Sequence, residues 1–258
     1  MTGPAEAVRF EVTGGVAVIT LDRPKVRNAV DRPAAEALAR ALDQVDERDD
    51  VSVGVLAGAG RFFSAGMDLK AFSATGERPV DERRGGFGIV GRPPEKPLIA
   101  AVEGPALGGG FEIALACDLI VAGQSATFGL PEVKRGLVAA AGGVLRLPRR
   151  IPHAIAKEMC LTGAPVDAAE AQRLGLVSRV VPDGEALTKA RALAEVIAAN
   201  APLAVRTAKL LVDQSVDWPL DEAFDRQAPY TDAVRASDDA KEGAAAFVEK
   251  RGPNWTGS

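Results

Sequence analysis

Glu112 stands in Phe111–Ala116, an otherwise apolar run that directly follows the triplet Gly108-Gly109-Gly110. A carboxylate in such surroundings is costly unless it is paired, hydrogen-bonded or protonated. On a helix its neighbours at i+3 and i+4 are Leu115 and Ala116, so that face is apolar too. A carboxyl whose pKa is raised in this way suits general acid or base work. The bland reading is a glutamate on the exposed side of an amphipathic helix. Glu132 follows Pro131 after the short apolar stretch Thr127–Gly129. Read alone, it is a loop or first-turn glutamate, favoured there by a helix dipole. Spacing does not show whether the two carboxylates meet.

Two glycine-punctuated segments accompany them. Gly104 to Gly110 follows a strand pattern and opens a helix. Its triplet has two open readings: tight turns and close packing, or bare N–H groups at a helix start for an anion or oxyanion. No Lys-Ser/Thr follows, so it is not a phosphate loop, and it does not match the dinucleotide fingerprint. Gly60 to Leu69 reads either as a plain connection turning at Gly66 or as a second pocket wall that offers backbone N–H groups.

Other chemistries are excluded by count. The one histidine, His153, rules out a two-histidine metal site. Cys117 and Cys160 are too few for a disulfide framework or a cysteine zinc site. Both sit in apolar stretches and are expected to be buried free thiols of a cytoplasmic protein. The chain has 258 residues, with Lys+Arg 31 against Asp+Glu 35 and a net charge of −4. That balance gives no nucleic-acid footprint. The opening MTGPAEAVRF lacks a basic region followed by an apolar run, so no secretory signal is expected. Nor does any stretch approach the ~20 apolar residues of a membrane span.

The elements that must hold these residues follow from patterning. Val8–Val12 and Val16–Leu21 read as a hairpin across Thr13-Gly14-Gly15. Asp31 caps a helix with Pro33 in its first turn and Ala37, Leu38, Ala41, Leu42 and Val45 on one face. Val51–Leu56, Leu98–Val102, Leu119–Ala122 and Val177–Val181 read as strands, and Thr127–Gly129 as a short one. Ser73 to Lys96 has little periodicity and reads as a long loop, functional or partly disordered. Beyond Pro182 strand signals vanish, and Gly184–Asn200, Pro202–Asp213, Leu220–Arg235 and Asp239–Lys250 each suit a helix. The fold class is α/β, with sheets covered by helices.

Several ordered blocks resemble the crotonase (enoyl-CoA hydratase/isomerase) superfamily over nearly the whole chain. They are Phe63-Ser64-Ala65-Gly66-Met67-Asp68-Leu69, then Lys96-Pro97-Leu98-Ile99-Ala100-Ala101-Val102-Glu103-Gly104 leading into Gly108-Gly109-Gly110-Phe111-Glu112. Cys117-Asp118, Phe128-Gly129-Leu130-Pro131-Glu132, Gly142-Gly143 and Phe247-Val248-Glu249-Lys250-Arg251 follow in order. The resemblance implies a ββα spiral core over 1–195 and a helical oligomerisation region over 196–258. It implies a homotrimer or a hexamer of two trimers. It also implies an acyl-CoA thioester substrate and no cofactor, CoA being part of the substrate. Met67 and Gly109 match the two backbone N–H donors of an oxyanion hole, and Glu112 and Glu132 match the two hydratase glutamates. Val26, Asn28, Ala65, Gly66, Asp68 and Leu69 match positions around CoA, many acting through backbone atoms. Lys250 matches a C-terminal basic residue that reaches CoA phosphates in relatives; otherwise it is a solvated lysine.

The leading expectation is an enoyl-CoA hydratase, in which Glu132 donates a proton to the α-carbon and Glu112 activates the water. An isomerase using Glu132 alone is disfavoured by the presence of Glu112. A catalytically idle acyl-CoA binder is the alternative from another class. Where common hydratases carry a Pro-Gly-Ala-Gly-Gly-Thr-Gln-Arg-type stretch, this chain has Ala139 to Arg146. Val144-Leu145-Arg146-Leu147-Pro148, Met67-Asp68-Leu69-Lys70 and the ending through Trp255 are closer to the crotonobetainyl-CoA (carnitinyl-CoA) hydratase branch. A cationic acyl group would need carboxylate or aromatic partners.

Overall fold

A computed structural model describes residues 7–258. The reading of the opening residues as free of a signal falls mostly on residues 1–6, outside the described part. The chain begins with β1 (Val8–Thr13) and β2 (Val16–Leu21), an antiparallel hairpin with Thr13 opposite Val16. Next comes α1 (Arg32–Glu47), whose N-cap Asp31 accepts the Ala34 N–H at 3.0 Å. Its buried face is Ala34, Ala35, Leu38, Ala39, Ala41, Leu42 and Val45, an apolar stripe of helical period. β3 (Val53–Gly58) then enters the sheet, two residues later than the pattern suggested.

The segment expected to be a long loop is built differently. It holds α2 (Leu69–Thr75) and a short pair, β4 (Val80–Asp81) and β5 (Gly85–Gly86). It is fastened to α1 by Arg84, which is 2% exposed. Arg84 donates to Asp43 and Asp46, both at 2.8 Å, and to the Arg92 carbonyl at 2.9 Å. Aperiodic sequence hid this order, because one buried arginine with two carboxylates organises the segment in place of an apolar stripe.

The centre of the molecule follows: β6 (Leu98–Val102), β7 (Pro105–Leu107), α3 (Gly109–Leu115), β8 (Leu119–Gly123) and β9 (Thr127–Gly129). Then come α4 (Gly143–Arg150), α5 (His153–Thr162), β10 (Val166–Asp167), α6 (Ala168–Arg173) and β11 (Arg179–Val181). The main sheet runs β1-β2-β3-β6-β8-β11, parallel from β2 to β11. A second sheet runs β10-β9-β7. Side chains alternate between the faces of the main sheet. One face, with Ile19, Leu56 and Ala100, packs with α1 and α3 into the larger core. The other, with Val53, Val55, Ile99 and Val121, is covered by Ala186, Ala190 and Ala194 of α7 (Ala186–Ala198).

The chain ends in α8 (Pro202–Ser215), α9 (Ala223–Ala236) and α10 (Asp238–Glu249). The expected boundary at 195 therefore falls inside α7, a helix that belongs to the sheet's core. Helices α8 and α9 bury none of their residues fully in the single chain. Lys209 ties α8 to the body, donating to the Pro94 and Lys96 carbonyls and to Asp118 Oδ2.

Candidate active site

The second sheet brings the two glutamates together. β7 and β9 are adjacent and parallel, with Leu107 opposite Gly129. The Gly108 N–H donates to the Gly129 carbonyl at 2.9 Å, carrying the pairing one residue further. Beyond β7 the chain turns through Gly108 into α3 and reaches Glu112. Beyond β9 it passes Leu130 into a 3₁₀ turn, Pro131–Arg135, which carries Glu132. Both carboxyls thus project from the C-terminal ends of neighbouring parallel strands, where α/β sheets commonly open a crevice. Glu132 Oε1 lies 3.1 Å from where a Cβ on Gly108 would stand.

Glu112 is 3% exposed, so the buried reading holds over the amphipathic one. All seven residues of α3 are buried. Its Oε1 accepts the Gly143 N–H at 2.9 Å. Burial pushes its pKa up to about 7; the negative charge of Glu132 adds to the rise, while the Gly143 and Ala141 N–H groups and the Arg146 cation oppose it. Glu132 is raised as well, again by burial first. Its Oε2 is shut off from solvent with no hydrogen-bond partner among the described residues. An unpartnered buried oxygen is rare in folded proteins and marks a place where a proton or a ligand atom completes the bonding.

The backbone donors converge beside this pair. Ser64 bridges to Ala106 of β7, and Met67 bridges to Val30, so 64–67 runs alongside the second sheet. Gly66 adopts φ +81°, and a Cβ there would stand 2.7 Å from the Gly109 nitrogen. Close contact between the two segments therefore requires glycine at 66. The triplet's close-packing reading is observed: a Cβ on Gly110 would overlap the Ser64 carbonyl and one on Gly109 the Phe87 ring, and Gly109 is the first residue of α3. An N–H at that position has no carbonyl one turn back. Among the described residues, the Met67 and Gly109 N–H groups donate to no protein backbone acceptor. Two free N–H groups beside two carboxyls can hold an oxyanion while protons move nearby.

The remaining expected ligand contacts divide. Ala65, Leu69 and Val26 are exposed, and all three are open to a ligand. Gly66 is buried, and its N–H donates to Ser64 Oγ at 3.1 Å. Asn28 is 1% exposed and braces the site from behind. Its side chain accepts the Arg23 N–H and donates to the Ala59 and Phe62 carbonyls, and its own carbonyl accepts the Ser64 hydroxyl. Asp68 is likewise a structural group. Its Oδ1 caps α2 through the Lys70 and Ala71 N–H groups, both at 3.1 Å, and its Oδ2 meets Arg23 at 3.2 Å. Lys250 is exposed, in the left-handed conformation at the end of α10, a helix that packs on α9.

His153 is an exposed first residue of α5. Cys117 is fully buried, its thiol pushed up to about 12 by burial. Cys160 is only half-buried, against expectation, and its thiol is raised by burial and by Glu132. Sequence reasoning missed Phe87, Gly143 as the Glu112 donor, and the brace formed by Asn28 and Ser64. The Gly142-Gly143 pair was the one available signal for the second of these.

A family model for enoyl-CoA hydratase/isomerase matches residues 11–258. Enoyl-CoA hydratase EchA19 of Mycobacterium tuberculosis is 44% identical over 262 residues, covering 98% of this chain and 97% of that protein. Carnitinyl-CoA dehydratase of Salmonella typhi is 42% identical over 261 residues, 98% and 99% of the two chains. Among solved structures, enoyl-CoA hydratase EchA1 from Mycobacterium marinum aligns with a TM-score of 0.95 at 52% identity, covering 98% of this chain and all of that one. Carnitinyl-CoA hydratase from Mycobacterium avium aligns with a TM-score of 0.79 at 44% identity, over 99% and 100%.

Proposed function

The chain belongs to the enoyl-CoA hydratase/isomerase family and is an enoyl-CoA hydratase, and from that premise we propose a mechanism in which Glu112, Glu132 and the Met67 and Gly109 N–H groups add water to a 2-enoyl-CoA thioester. The Glu112 carboxylate takes a proton from the water, whose oxygen bonds to the β-carbon. The double-bond electron pair moves toward the thioester oxygen, where the two N–H groups meet the growing negative charge. Each such donor contributes about 3–4 kcal/mol in the transition state. Glu132, as the carboxylic acid, then protonates the α-carbon. The product is a 3-hydroxyacyl-CoA, and the proton left on Glu112 returns to Glu132 through solvent. The scheme draws on no metal, flavin or nicotinamide.

The observation that carries this assignment is the contrast between the two carboxyls. Glu112 Oε1 accepts an N–H, which favours its ionised form. Glu132 Oε2 has no partner, which leaves that oxygen free to carry the transferable proton. The charge of Glu132 helps raise Glu112, so the two carboxyls titrate as a coupled pair, and the scheme uses the state with one proton on the pair, carried by Glu132. An isomerase needs one such carboxyl; the buried, hydrogen-bonded Glu112 supports the reading with two.

A second acyl group is favoured by one observation. The likeness to carnitinyl-CoA dehydratase points to the trimethylammonium of crotonobetainyl-CoA, which needs carboxylate or aromatic partners. Decay of enoyl-thioester absorbance on a chain-length series, with crotonobetainyl-CoA included, separates the two. Binding of CoA esters with no turnover would return the chain to the idle-binder reading. Ala65, Gly66 and Leu69 form the CoA side of the site, with Val26 beside them. The region 196–258 serves oligomerisation: Val212, Val216, Leu220, Phe224, Phe247 and Val248 are exposed apolar residues on it, and clusters of such residues mark interfaces. We assign a homotrimer or hexamer, in the cytoplasm, and light scattering measures its size. Among the described residues, no helix is long and apolar enough to cross a membrane.

A further inference from the structure

The turn that holds Glu112 carries a cation that the reaction scheme leaves unused. Arg146 lies on the first turn of α4, its N–H bonded to the Gly142 carbonyl at 2.8 Å. The half-buried guanidinium folds back under the turn: a Cβ on Gly142 would overlap Nη1. Nη2 donates to the Val90 carbonyl at 2.6 Å. Val90 closes the segment that contains Phe87, whose ring lies on the oxyanion-hole residue Gly109. The next residue of the turn, Gly143, donates to Glu112. One arginine therefore joins the turn beneath the base to the segment over the oxyanion hole.

The charges around it are few. Glu112 on α3 is the carboxylate whose charge acts on it, and Arg150 on its own helix opposes it. Cys117 beyond α3 faces it as a neutral thiol at working pH. Glu132 acts on Glu112 from the 3₁₀ turn. Arg150 is occupied by the Leu115, Cys117 and Asp118 carbonyls.

We propose that Arg146 is a positioning residue, which fixes the Gly142-Gly143 turn and the Phe87 segment to each other and so holds the Gly143 N–H on Glu112. The proposal rests on the two-glutamate reading above. The test compares full-length wild type, Arg146→Lys and Arg146→Met, using the pH profile of kcat/KM and an infrared titration of the protonated Glu112 band, identified by its loss in Glu112→Gln. The acid limb of Arg146→Met is expected to move up by about one pH unit, costing about 10-fold at a pH below the limb and far less above it. Arg146→Lys keeps a donor for the Val90 carbonyl and restores most of the limb, while losing part of kcat because an ammonium does not reproduce the guanidinium's geometry. A loss equal at all pH values, with an unmoved infrared titration, overturns the proposal and makes Arg146 a plain structural residue. If wild type hydrates no enoyl-CoA, the functional reading fails instead, and the infrared shift between wild type and Arg146→Lys or Arg146→Met still decides the role of Arg146.

Discussion

The Gly143 N–H donates to Glu112 Oε1 at 2.9 Å from a turn 31 residues further along the chain. That bond helps hold a carboxylate inside a helix whose seven residues are all buried. It offsets only part of the cost of burial, since the Glu112 pKa still stands near 7.

Stability should therefore depend on pH through Glu112. Its folded pKa of about 7 lies above the ordinary 4.5, so the native state holds the proton more tightly than the unfolded chain. This contribution is fully present below about pH 4.5 and is lost as pH rises through about 7. The loss at pH 8 is at most about 3 kcal/mol. Glu112→Gln keeps an acceptor for Gly143 and carries no charge. Its Tm should exceed wild type by roughly 5–10 °C at pH 8 and match it near pH 4, measured by thermal denaturation across pH. Equal Tm values at pH 8 would contradict a raised Glu112.

Glu132→Gln should lower kcat on the order of 10²–10⁴-fold, the usual range for a lost general acid. Binding of a CoA ester, read by calorimetry, should change little. The same variant removes the charge that helps raise Glu112, so the infrared titration of Glu112 should move to lower pH. Retained turnover with unchanged kcat would remove Glu132 from the scheme.

Gly66→Ala tests the packing of the proposed oxyanion hole. The new Cβ would stand 2.7 Å from the Gly109 nitrogen at a φ of +81°. Strain of about 1–3 kcal/mol is expected, together with a fall in kcat on the order of 10²-fold as one donor is displaced. Steady-state kinetics and chemical denaturation read the two effects separately.

Asp68→Ala should behave as a lost helix cap. The carboxylate serves the Lys70 and Ala71 N–H groups and Arg23. About 1 kcal/mol of stability should go, with a small change in the Kd for CoA esters. A large loss of affinity without a loss of stability would restore Asp68 as a ligand contact.

A thiol reagent should distinguish the two cysteines. Cys117 is fully buried with its thiol pushed up to about 12, and such a group is inert. Native protein should titrate at most one thiol, slowly, at the half-buried Cys160, and two after denaturation. Rapid labelling of both in native protein would contradict the burial of Cys117.

The elements were legible where periodicity carried them. The hairpin across Gly14-Gly15, the cap at Asp31 and the helices beyond Pro182 lie within a few residues of their expected places. Ser73 to Lys96 was not legible, because Arg84 organises it through carboxylates on α1, some forty residues away. Asn28 and Asp68 occupy motif positions near a ligand, yet their polar atoms are consumed by the scaffold. A motif records that a residue type is required there, and does not tell a contact from the brace behind it.

Residue types set the chemistry on offer. One histidine and two cysteines leave carboxyls and backbone N–H groups as the reactive set, and Glu112 in an apolar run is a carboxyl that must be neutralised, bonded or used. Tertiary structure alone decided that Glu112 and Glu132 share a site, through the parallel pairing of β7 and β9. It also decided their unequal surroundings, because Gly143 reaches one carboxyl and, among the described residues, no hydrogen-bond partner reaches Oε2 of the other. Proton affinity depends on burial and on partners within a few ångströms, and those are set by which distant segments pack together.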